Sequence, residues 1–177
     1  MLSASTIVLS FGLLFANLAA ATPTPRASCG PSFEGGGVSI VAGSVEWSVS
    51  SAVAGTALDH TPKNDAAEWH VQQTGTTPPT YLVKDINNNE LVVGIGADGL
   101  LTLEQIDATK PTQMWAISCD SCSSGASSAP GGKYASGCKI ISASTGACAE
   151  VQHAGAHIST NQCAPVVAQN WDFGTAP

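Results

Sequence analysis

Three short segments that each end in tryptophan recur along the chain and constrain what it can fold into. They end at Trp69, Trp115 and Trp171, and each follows a short strand-like segment. Those segments end at positions 49, 94 and 151, so the intervals to the tryptophans (49 to 69, 94 to 115, 151 to 171) are 20, 21 and 20 residues. A unit that recurs at a nearly fixed interval predicts a repeat architecture, in which one supersecondary structure is copied and stacked.

Short runs rich in β-branched residues predict strands along most of the chain. They are separated by clusters such as Gly35-Gly36-Gly37 and Asn87-Asn88-Asn89, where the backbone can adopt a positive φ and reverse direction. No segment of helical length shows a 3.6-residue period with caps. The sequence therefore predicts an all-β fold of hairpins, with strands at 38–41, 45–49, 69–72, 81–84, 91–95, 100–103, 115–118, 138–141 and around residue 158.

The three predicted repeats cover about 38–75, 80–118 and 138–173, and a Ser/Gly-rich loop at 119–137 precedes the third. This loop accounts for the longer step from Trp115 to Trp171 than from Trp69 to Trp115. One such repeat is too small to bury its own apolar face. Three together can close a barrel, in which each indole removes up to about 200 Å² from water.

The two ends of the chain carry different predictions. Residues 1–21 resemble a signal peptide, because an apolar run at 7–15 precedes Ala19-Ala20-Ala21. A membrane anchor is the alternative, but the apolar run is too short to span a bilayer. Residues 22–37 are predicted to form an extended leader because prolines at 23 and 25 exclude a helix or central strand. Residues 38–177 are predicted to form the folded domain.

The composition excludes several classes of partner. The chain has 13 acidic and 6 basic residues, for a net charge of −7. An acidic surface argues against nucleic acid and against anionic membranes. Only 11% of residues are charged, so Ser, Thr, Asn and Gly must cover much of the surface. That composition suits a secreted, extracellular β protein.

Cysteine usage indicates disulfide bonds. In a secreted chain, an even number of cysteines predicts full pairing rather than free thiols. Cys148 and Cys163 are predicted to staple one hairpin, closing a loop worth roughly 3 kcal/mol. The other four leave three connectivities open. Pairing of Cys138 with either Cys119 or Cys122 is favoured, which leaves Cys29 to tie the leader to the domain.

A Gln-x-Trp motif stands at 113–115 and again at 169–171, and the segment between them contains Gly146-x-Cys148-Ala-Glu150-Val151 and Cys163. On these motifs the chain resembles the ricin B-chain-type lectin domain, the β-trefoil of family 13 carbohydrate-binding modules, in a small secreted fungal form. The resemblance spans nearly all of residues 38–177 and implies a β-trefoil of three pseudo-symmetric repeats. The first repeat departs from the motif because Ala67 stands in place of the glutamine.

The resemblance also implies where a sugar would bind. In that family, a carboxylate in the Cys-x-Asp-Val strand, an aromatic platform and the amides around Gln-x-Trp hold the sugar. The carboxylate and an aromatic ring are the groups that fix hydroxyls and cover the apolar ring face. By counting from the motifs, the carboxylate position carries Ser48, Val93 and Glu150, and the platform position carries Asp59, Glu104 and Asn161. None of the platform residues is aromatic, so a site is expected only in the third repeat.

The resulting candidate site has Glu150 as acceptor, Gln169 as orienting amide and Asn161 as a further polar contact. His157 or His153 is the candidate replacement for the missing ring. The structural alternative is that Gln113 and Gln169 satisfy buried backbone groups. That alternative is favoured for Gln113, as a structural role in the core is for the three repeat tryptophans.

Several patterns that resemble cofactor, metal or catalytic motifs are not interpreted as functional sites. Gly94-x-Gly96-x-x-Gly99 has the spacing of a dinucleotide fingerprint, but a strand-like segment follows it, so a turn is predicted. Cys119-x-x-Cys122 lacks the second half of a zinc site. Glu150, His153 and His157 could cluster, but the spacing alone does not predict a metal site. No hydrolase motif is present, so neither catalysis nor a cofactor or metal is predicted.

These observations predict a secreted, non-catalytic binding protein with one weak or degenerate sugar site, whose partner is an extracellular or cell-wall carbohydrate. The alternative is a β-trefoil protease inhibitor or secreted effector, in which a protruding loop enters another protein's cleft. The candidate loops are 74–79 and 119–137. A third possibility is a purely structural surface protein.

Overall fold

The computed structural model describes residues 28–33, 36–64, 68–123, 132–151 and 157–174. The predicted signal peptide and half of the predicted leader (residues 22–27 and 34–35) lie outside these ranges. Within them, no helix is long and apolar enough to cross a membrane. Thirteen strands form one continuous sheet: β1 (Gly37–Ala42), β2 (Val45–Ser48), β3 (Asp59–Pro62), β4 (Trp69–Gln73), β5 (Tyr81–Asp85), β6 (Leu91–Ile95), β7 (Leu101–Gln105), β8 (Trp115–Ser118), β9 (Ser121–Cys122), β10 (Lys133–Ser142), β11 (Cys148–Val151), β12 (Ile158–Asn161) and β13 (Trp171–Gly174).

Six of these strands close into a barrel. Strand β1 pairs with β4, β4 with β5, β5 with β8, β8 with β10, β10 with β13, and β13 again with β1, all antiparallel. The barrel has no free edge because its first and last strands are hydrogen-bonded neighbours. The remaining hairpins β2–β3, β6–β7 and β11–β12 each belong to one repeat. This is the β-trefoil that the sequence predicted.

The three hairpins contact one another in a cycle. Ala57 of the first repeat bridges Thr102 of the second, Leu100 of the second bridges Ser159 of the third, and His157 of the third returns to Asp59 of the first. Next to these bridges, three side chains are fully buried: Leu58, Leu101 and Ile158. Each of them directly follows a bridge residue, namely Ala57, Leu100 or His157. Each repeat therefore contacts the next in an equivalent way, and the three repeats have the predicted pseudo-threefold relation.

The repeat tryptophans are wholly buried and make equivalent hydrogen bonds. In each, the indole Nε1 donates to the carbonyl oxygen 22 positions earlier. The acceptors are Trp47 for Trp69 at 3.3 Å, Val93 for Trp115 at 3.0 Å and Ala149 for Trp171 at 3.0 Å. The constant spacing fixes which residues correspond between repeats.

Trp47 is a fourth buried tryptophan that has no counterpart in the other repeats. Its ring stands edge-on to Trp69 at 6.1 Å and to Trp171 at 5.4 Å. Its Nε1 is buried and has no hydrogen-bond partner among the described residues. Trp47 therefore contributes through ring packing and not through its N–H group.

This difference predicts unequal costs for the same substitution. Trp47→Phe and Trp115→Phe remove the same atoms, but only the second breaks a buried hydrogen bond. We expect Trp115→Phe to lower the free energy of unfolding by about 1–2 kcal/mol more than Trp47→Phe, as measured by urea denaturation. Equal losses would show that the bond to Val93 contributes nothing.

The prediction of strand positions was incomplete in the polar and inserted segments. β3 has the sequence Asp-His-Thr-Pro, which carries no β-branched run, and it forms because hairpin pairing with β2 supplies its register. Strand β10 was predicted at 138–141 but spans ten residues from Lys133, and β9 pairs with it. The third repeat therefore begins inside the predicted loop 119–137, of which residues 124–131 lie outside the described ranges.

Three disulfides join the described chain. Cys148–Cys163 is confirmed, and the open alternatives resolve as Cys119–Cys138 and Cys29–Cys122. Phe33, four residues after Cys29, is buried in the core against the ring of Phe173 at 4.8 Å. The segment before β1 is thus packed onto the barrel and covalently held there.

Candidate functional site

Three of the four candidate residues line one open cavity of about 680 Å³ in the third repeat. Glu150 lies on β11, Asn161 is the last residue of β12, and Gln169 ends the short 3-10 helix Val167–Gln169. The hairpin and the helix meet because Trp171, two residues after Gln169, is anchored to the carbonyl of Ala149. The structure therefore brings these three side chains together.

The Glu150 carboxylate is held at both oxygens. Oε2 accepts a hydrogen bond from Gln169 Nε2 at 2.5 Å, and Oε1 accepts one from Asn161 Nδ2 at 3.2 Å. A carboxylate oxygen can accept more than one hydrogen bond, so both remain available to an external donor. The group is therefore a fixed acceptor at the cavity wall.

Gln169 combines the two roles that the sequence left open. It is 1% exposed, its Nε2 also donates to Gln162 O at 2.9 Å, and its Oε1 accepts from Ala164 N at 2.7 Å. It satisfies two backbone groups and orients the Glu150 carboxylate at the same time. A buried amide with three partners has one stable orientation.

The far wall of the cavity is formed by residues 163–168. Cys163 is bonded to Cys148, and Lys139 Nζ on β10 donates to Ala164 O at 2.9 Å. Partial burial lowers the pKa of the Lys139 ammonium, while the carboxylates of Asp120 and Glu150 act in the opposite direction. The wall is thus tied to the barrel by a disulfide and by a lysine that lies near the site carboxylate.

The second repeat uses its carboxylate differently. Trp115 and Trp171 bond to Val93 and Ala149, so the residue that corresponds to Glu150 is Gly94. The prediction of Val93 at this position was wrong by one residue. A Cβ on Gly94 would lie 2.8 Å from Glu104 Cδ, so the Glu104 side chain lies over this glycine. The carboxylate of the second repeat therefore comes from the opposite strand.

Strand register also corrects the predicted platform positions. Glu104 pairs with Val92 and Asn161 pairs with Cys148, and these are equivalent places in their hairpins. The first-repeat equivalent is Thr61, which pairs with Glu46, and not Asp59 as predicted. None of these three residues is aromatic, so the corrected positions also provide no aromatic platform for a sugar.

Gln113 in the second repeat is wholly buried and contacts backbone groups. Its Oε1 accepts from Asp107 N at 2.8 Å, and its Nε2 donates to Gln105 O at 2.9 Å and to Glu104 Oε2 at 2.8 Å. Lys110 Nζ lies 3.7 Å from the same Glu104 oxygen. The second-repeat carboxylate is therefore engaged by an amide and by a cation.

His157 is not brought to the cavity. Its Nδ1 lies 2.6 Å from Asp59 Oδ1, and the two residues form the bridge between the third and first repeats. His153, the other candidate, lies outside the described residues. The larger apolar side chains that line this cavity together with Glu150 are Pro165, Val166 and Val167. Sequence reasoning missed them because a Pro-Val-Val segment gives no sign of whether it is exposed.

The motifs set aside take structural roles. Gly94 lies on β6, and Gly99, with φ of +81°, lies in the turn between β6 and β7. Cys119 and Cys122 belong to different disulfides, so neither is a free thiolate. In the described part of the chain, no group of three or more His, Cys, Asp or Glu side chains is placed to hold a metal ion.

Comparison with known proteins identifies the fold but no family. No protein-family model matches the chain, and no curated protein sequence matches it significantly. Among solved structures, it is similar to the designed threefold-symmetric protein ThreeFoil (14% identity, TM-score 0.57, covering 77% of this chain and 96% of that one). It is also similar to the C-terminal half of an earthworm R-type lectin in complex with GalNAc (12% identity, TM-score 0.54, with coverage of 77% and 96%).

A mosquitocidal holotoxin is similar over a smaller part of its length. The TM-score is 0.61 at 9% identity, and the match covers 79% of this chain but 17% of the toxin. This chain therefore corresponds to one small part of that much longer protein. At such identities the likeness shows the fold alone, and that fold is the β-trefoil.

Proposed function

We propose that this chain is a secreted, non-catalytic protein that binds an extracellular or cell-wall carbohydrate through the cavity at Glu150. The observation that carries the proposal is the fixed Glu150 carboxylate, which Gln169 and Asn161 hold at the wall of an open cavity. The three disulfides support secretion because such bonds persist in oxidising compartments. The earthworm lectin that shares the fold is described in complex with GalNAc, which supports the class of ligand.

The chemistry of the cavity suits a sugar with modest affinity. A fixed carboxylate can accept from two neighbouring hydroxyls, and the exposed amide of Asn161 adds a directional contact. The apolar face of a sugar would pack on Val166 and Val167, which are exposed beside it. Aliphatic side chains lack the quadrupole of an aromatic ring and give less energy to such contacts. We therefore expect the affinity of this cavity for a sugar to be weak.

The second repeat is proposed to lack a working site. Its Glu104 carboxylate is engaged by Gln113 and approached by Lys110. A carboxylate oxygen that has both an amide donor and a cation within 4 Å has less capacity left for sugar hydroxyls. One site per chain follows.

The test is a glycan array of the mature protein, followed by NMR titration of the sugar with the strongest signal. Glu150→Gln keeps the size of the side chain but removes the charge and replaces one acceptor by a donor that faces Asn161 or Gln169. We expect affinity to fall at least about tenfold, which corresponds to 1.4 kcal/mol.

Glu104→Gln is the matched control for this titration. It makes the same change beside Gln113 in the second repeat, so it has a comparable effect on the fold and is expected to leave sugar affinity unchanged. If Glu150→Gln binds as well as the original protein, Glu150 is not the acceptor. An array without signal at high protein concentration would remove the carbohydrate proposal.

One observation favours the alternative of protease inhibition. The hydroxyls of Thr74, Thr76 and Thr80 are mutually hydrogen-bonded at 2.6 to 3.1 Å, which braces the exposed hairpin loop between β4 and β5. A braced loop loses little entropy when it enters a cleft. This alternative predicts saturable inhibition of a protease that disappears when loop 74–79 is cleaved. If no protease in a panel is inhibited, the inhibitor alternative is rejected and the carbohydrate proposal stands.

A further inference from the structure

A ridge formed by residues 165–167 separates the cavity at Glu150 from a second cavity of about 380 Å³. All three ridge residues line both cavities. The second cavity is also lined by polar side chains that include Asp120 and Asn170. The two cavities are therefore adjoining halves of one surface.

The ridge is exposed although it is apolar. Val166 is 43% exposed and Val167 is 76% exposed, and Val53 in the first repeat is the other large hydrophobic side chain that the described residues expose. Leaving such side chains in water forgoes the free energy of burying them. Two of them side by side between two cavities mark a place where a ligand, and not the protein interior, can cover them.

The ridge is also held in place. Gln169 N donates to Val166 O at 3.2 Å and Asn170 N donates to Val167 O at 2.9 Å, so the valines belong to a hydrogen-bonded helical turn. Lys139 Nζ ties the preceding Ala164 carbonyl to the barrel. The valines therefore cannot turn inward without breaking these bonds, and the apolar surface is preformed.

The second cavity has a carboxylate in a defined position, as the first one does. Asp120 lies against Gly137, where a Cβ would stand 2.6 Å from Asp120 Oδ2. Gly137 has φ of +63°, which favours glycine there for a second reason. Lys139 interacts electrostatically with both carboxylates and lines the second cavity. The sequence of features along the surface is acceptor, apolar ridge, acceptor.

We propose that the ligand is a chain of linked neutral sugars that crosses this ridge, with one unit at Glu150, the chain packed on Val166 and Val167, and a further unit at Asp120 and Asn170. This rests on the proposed carbohydrate-binding function. Pyranose rings present apolar C–H faces and hydroxyl edges, which match a ridge flanked by acceptors. Two carboxylates repel acidic sugars, so uronate or sialate chains are disfavoured.

The test is calorimetric or NMR titration with N-acetylglucosamine, galactose and mannose, each with its linked dimer, trimer and tetramer. We expect the trimer of the recognised sugar to bind roughly tenfold more tightly than the monosaccharide. Val167→Ser is expected to reduce trimer affinity about three- to fivefold and monosaccharide affinity by a smaller factor, because a single sugar covers less of the ridge. Val53→Ser makes the same change at an exposed valine remote from both cavities and should alter neither affinity.

The outcomes separate this inference from the proposed function. If a monosaccharide binds in a Glu150-dependent way but affinity does not rise with chain length, the ridge inference fails and the carbohydrate site stands. An equal loss of trimer affinity in Val167→Ser and Val53→Ser would also overturn it. If no member of the three series binds, both proposals fall. Tighter binding of an oligogalacturonate than of the neutral galactose trimer would refute the neutral-ligand part.

Discussion

Replacing Trp171 with alanine is expected to lower the free energy of unfolding by about 3–5 kcal/mol, which is a large part of the 5–15 kcal/mol typical of a domain. The indole is wholly buried, its N–H group donates to Ala149, and its ring packs edge-on against Trp47 at 5.4 Å. The substitution removes all three contributions and leaves a cavity at the centre of the fold. Urea denaturation followed by far-ultraviolet circular dichroism measures the loss.

Val53→Ala is the control for this measurement. Val53 is 60% exposed, and its truncation is expected to change stability by less than about 0.5 kcal/mol. Because the pseudo-threefold relation places Trp69 and Trp115 in equivalent bonds, their alanine variants should show losses of similar size. A loss below about 1 kcal/mol for Trp171→Ala would contradict a shared core built from the repeat tryptophans.

Removal of the Cys29–Cys122 disulfide is the second substitution with a large expected effect. The two cysteines are 93 residues apart, against 15 for Cys148–Cys163. In the chain-entropy account, a loop of that length stabilises by about 4–5 kcal/mol and the shorter one by about 3 kcal/mol. We expect the Cys29→Ala/Cys122→Ala variant to be the less stable of the two double variants in thermal unfolding.

The comparison between the two double variants carries its own control. Both remove two sulfur atoms and one covalent bond, so the difference reports the length of the closed loop. If the Cys148→Ala/Cys163→Ala variant were the less stable, local restraint of the site wall would outweigh loop entropy. In that case the segment 28–33 should stay packed on the barrel through Phe33 even when Cys29 is replaced. Slow hydrogen exchange in this segment would show that it does.

The tryptophan spacing predicted the fold because it reflects a hydrogen bond. Each indole reaches back to a carbonyl at a fixed separation, and this geometry persists while the surrounding sequence changes. Strand β3 could not be found in the same way, because its residues are polar and only its pairing with β2 makes it a strand. The insertion hid the start of β10 because Ser and Gly give no strand signal.

The site was predictable in part. The Gln-x-Trp motif and the Cys-Ala-Glu-Val strand assigned Glu150 and Gln169 to one candidate site in the third repeat. The structure brings the two side chains into contact. Counting along the chain failed by one residue at Gly94, because strand ends read from hydrophobicity do not coincide with hydrogen-bond register. The exposure of Val166 and Val167 depends on a turn whose bonds come from residues that follow it, so no local pattern could show it.

The closed pairing of β1 with β13 has a consequence for the order of the chain. Ser39 lies opposite Gly174, so the start of β1 and the end of β13 lie side by side. A short peptide could join them, and the chain could be opened at the β4–β5 turn without removing any strand pair from the sheet. A circularly permuted gene can therefore encode the same strand pairs, whichever repeat comes first in the chain.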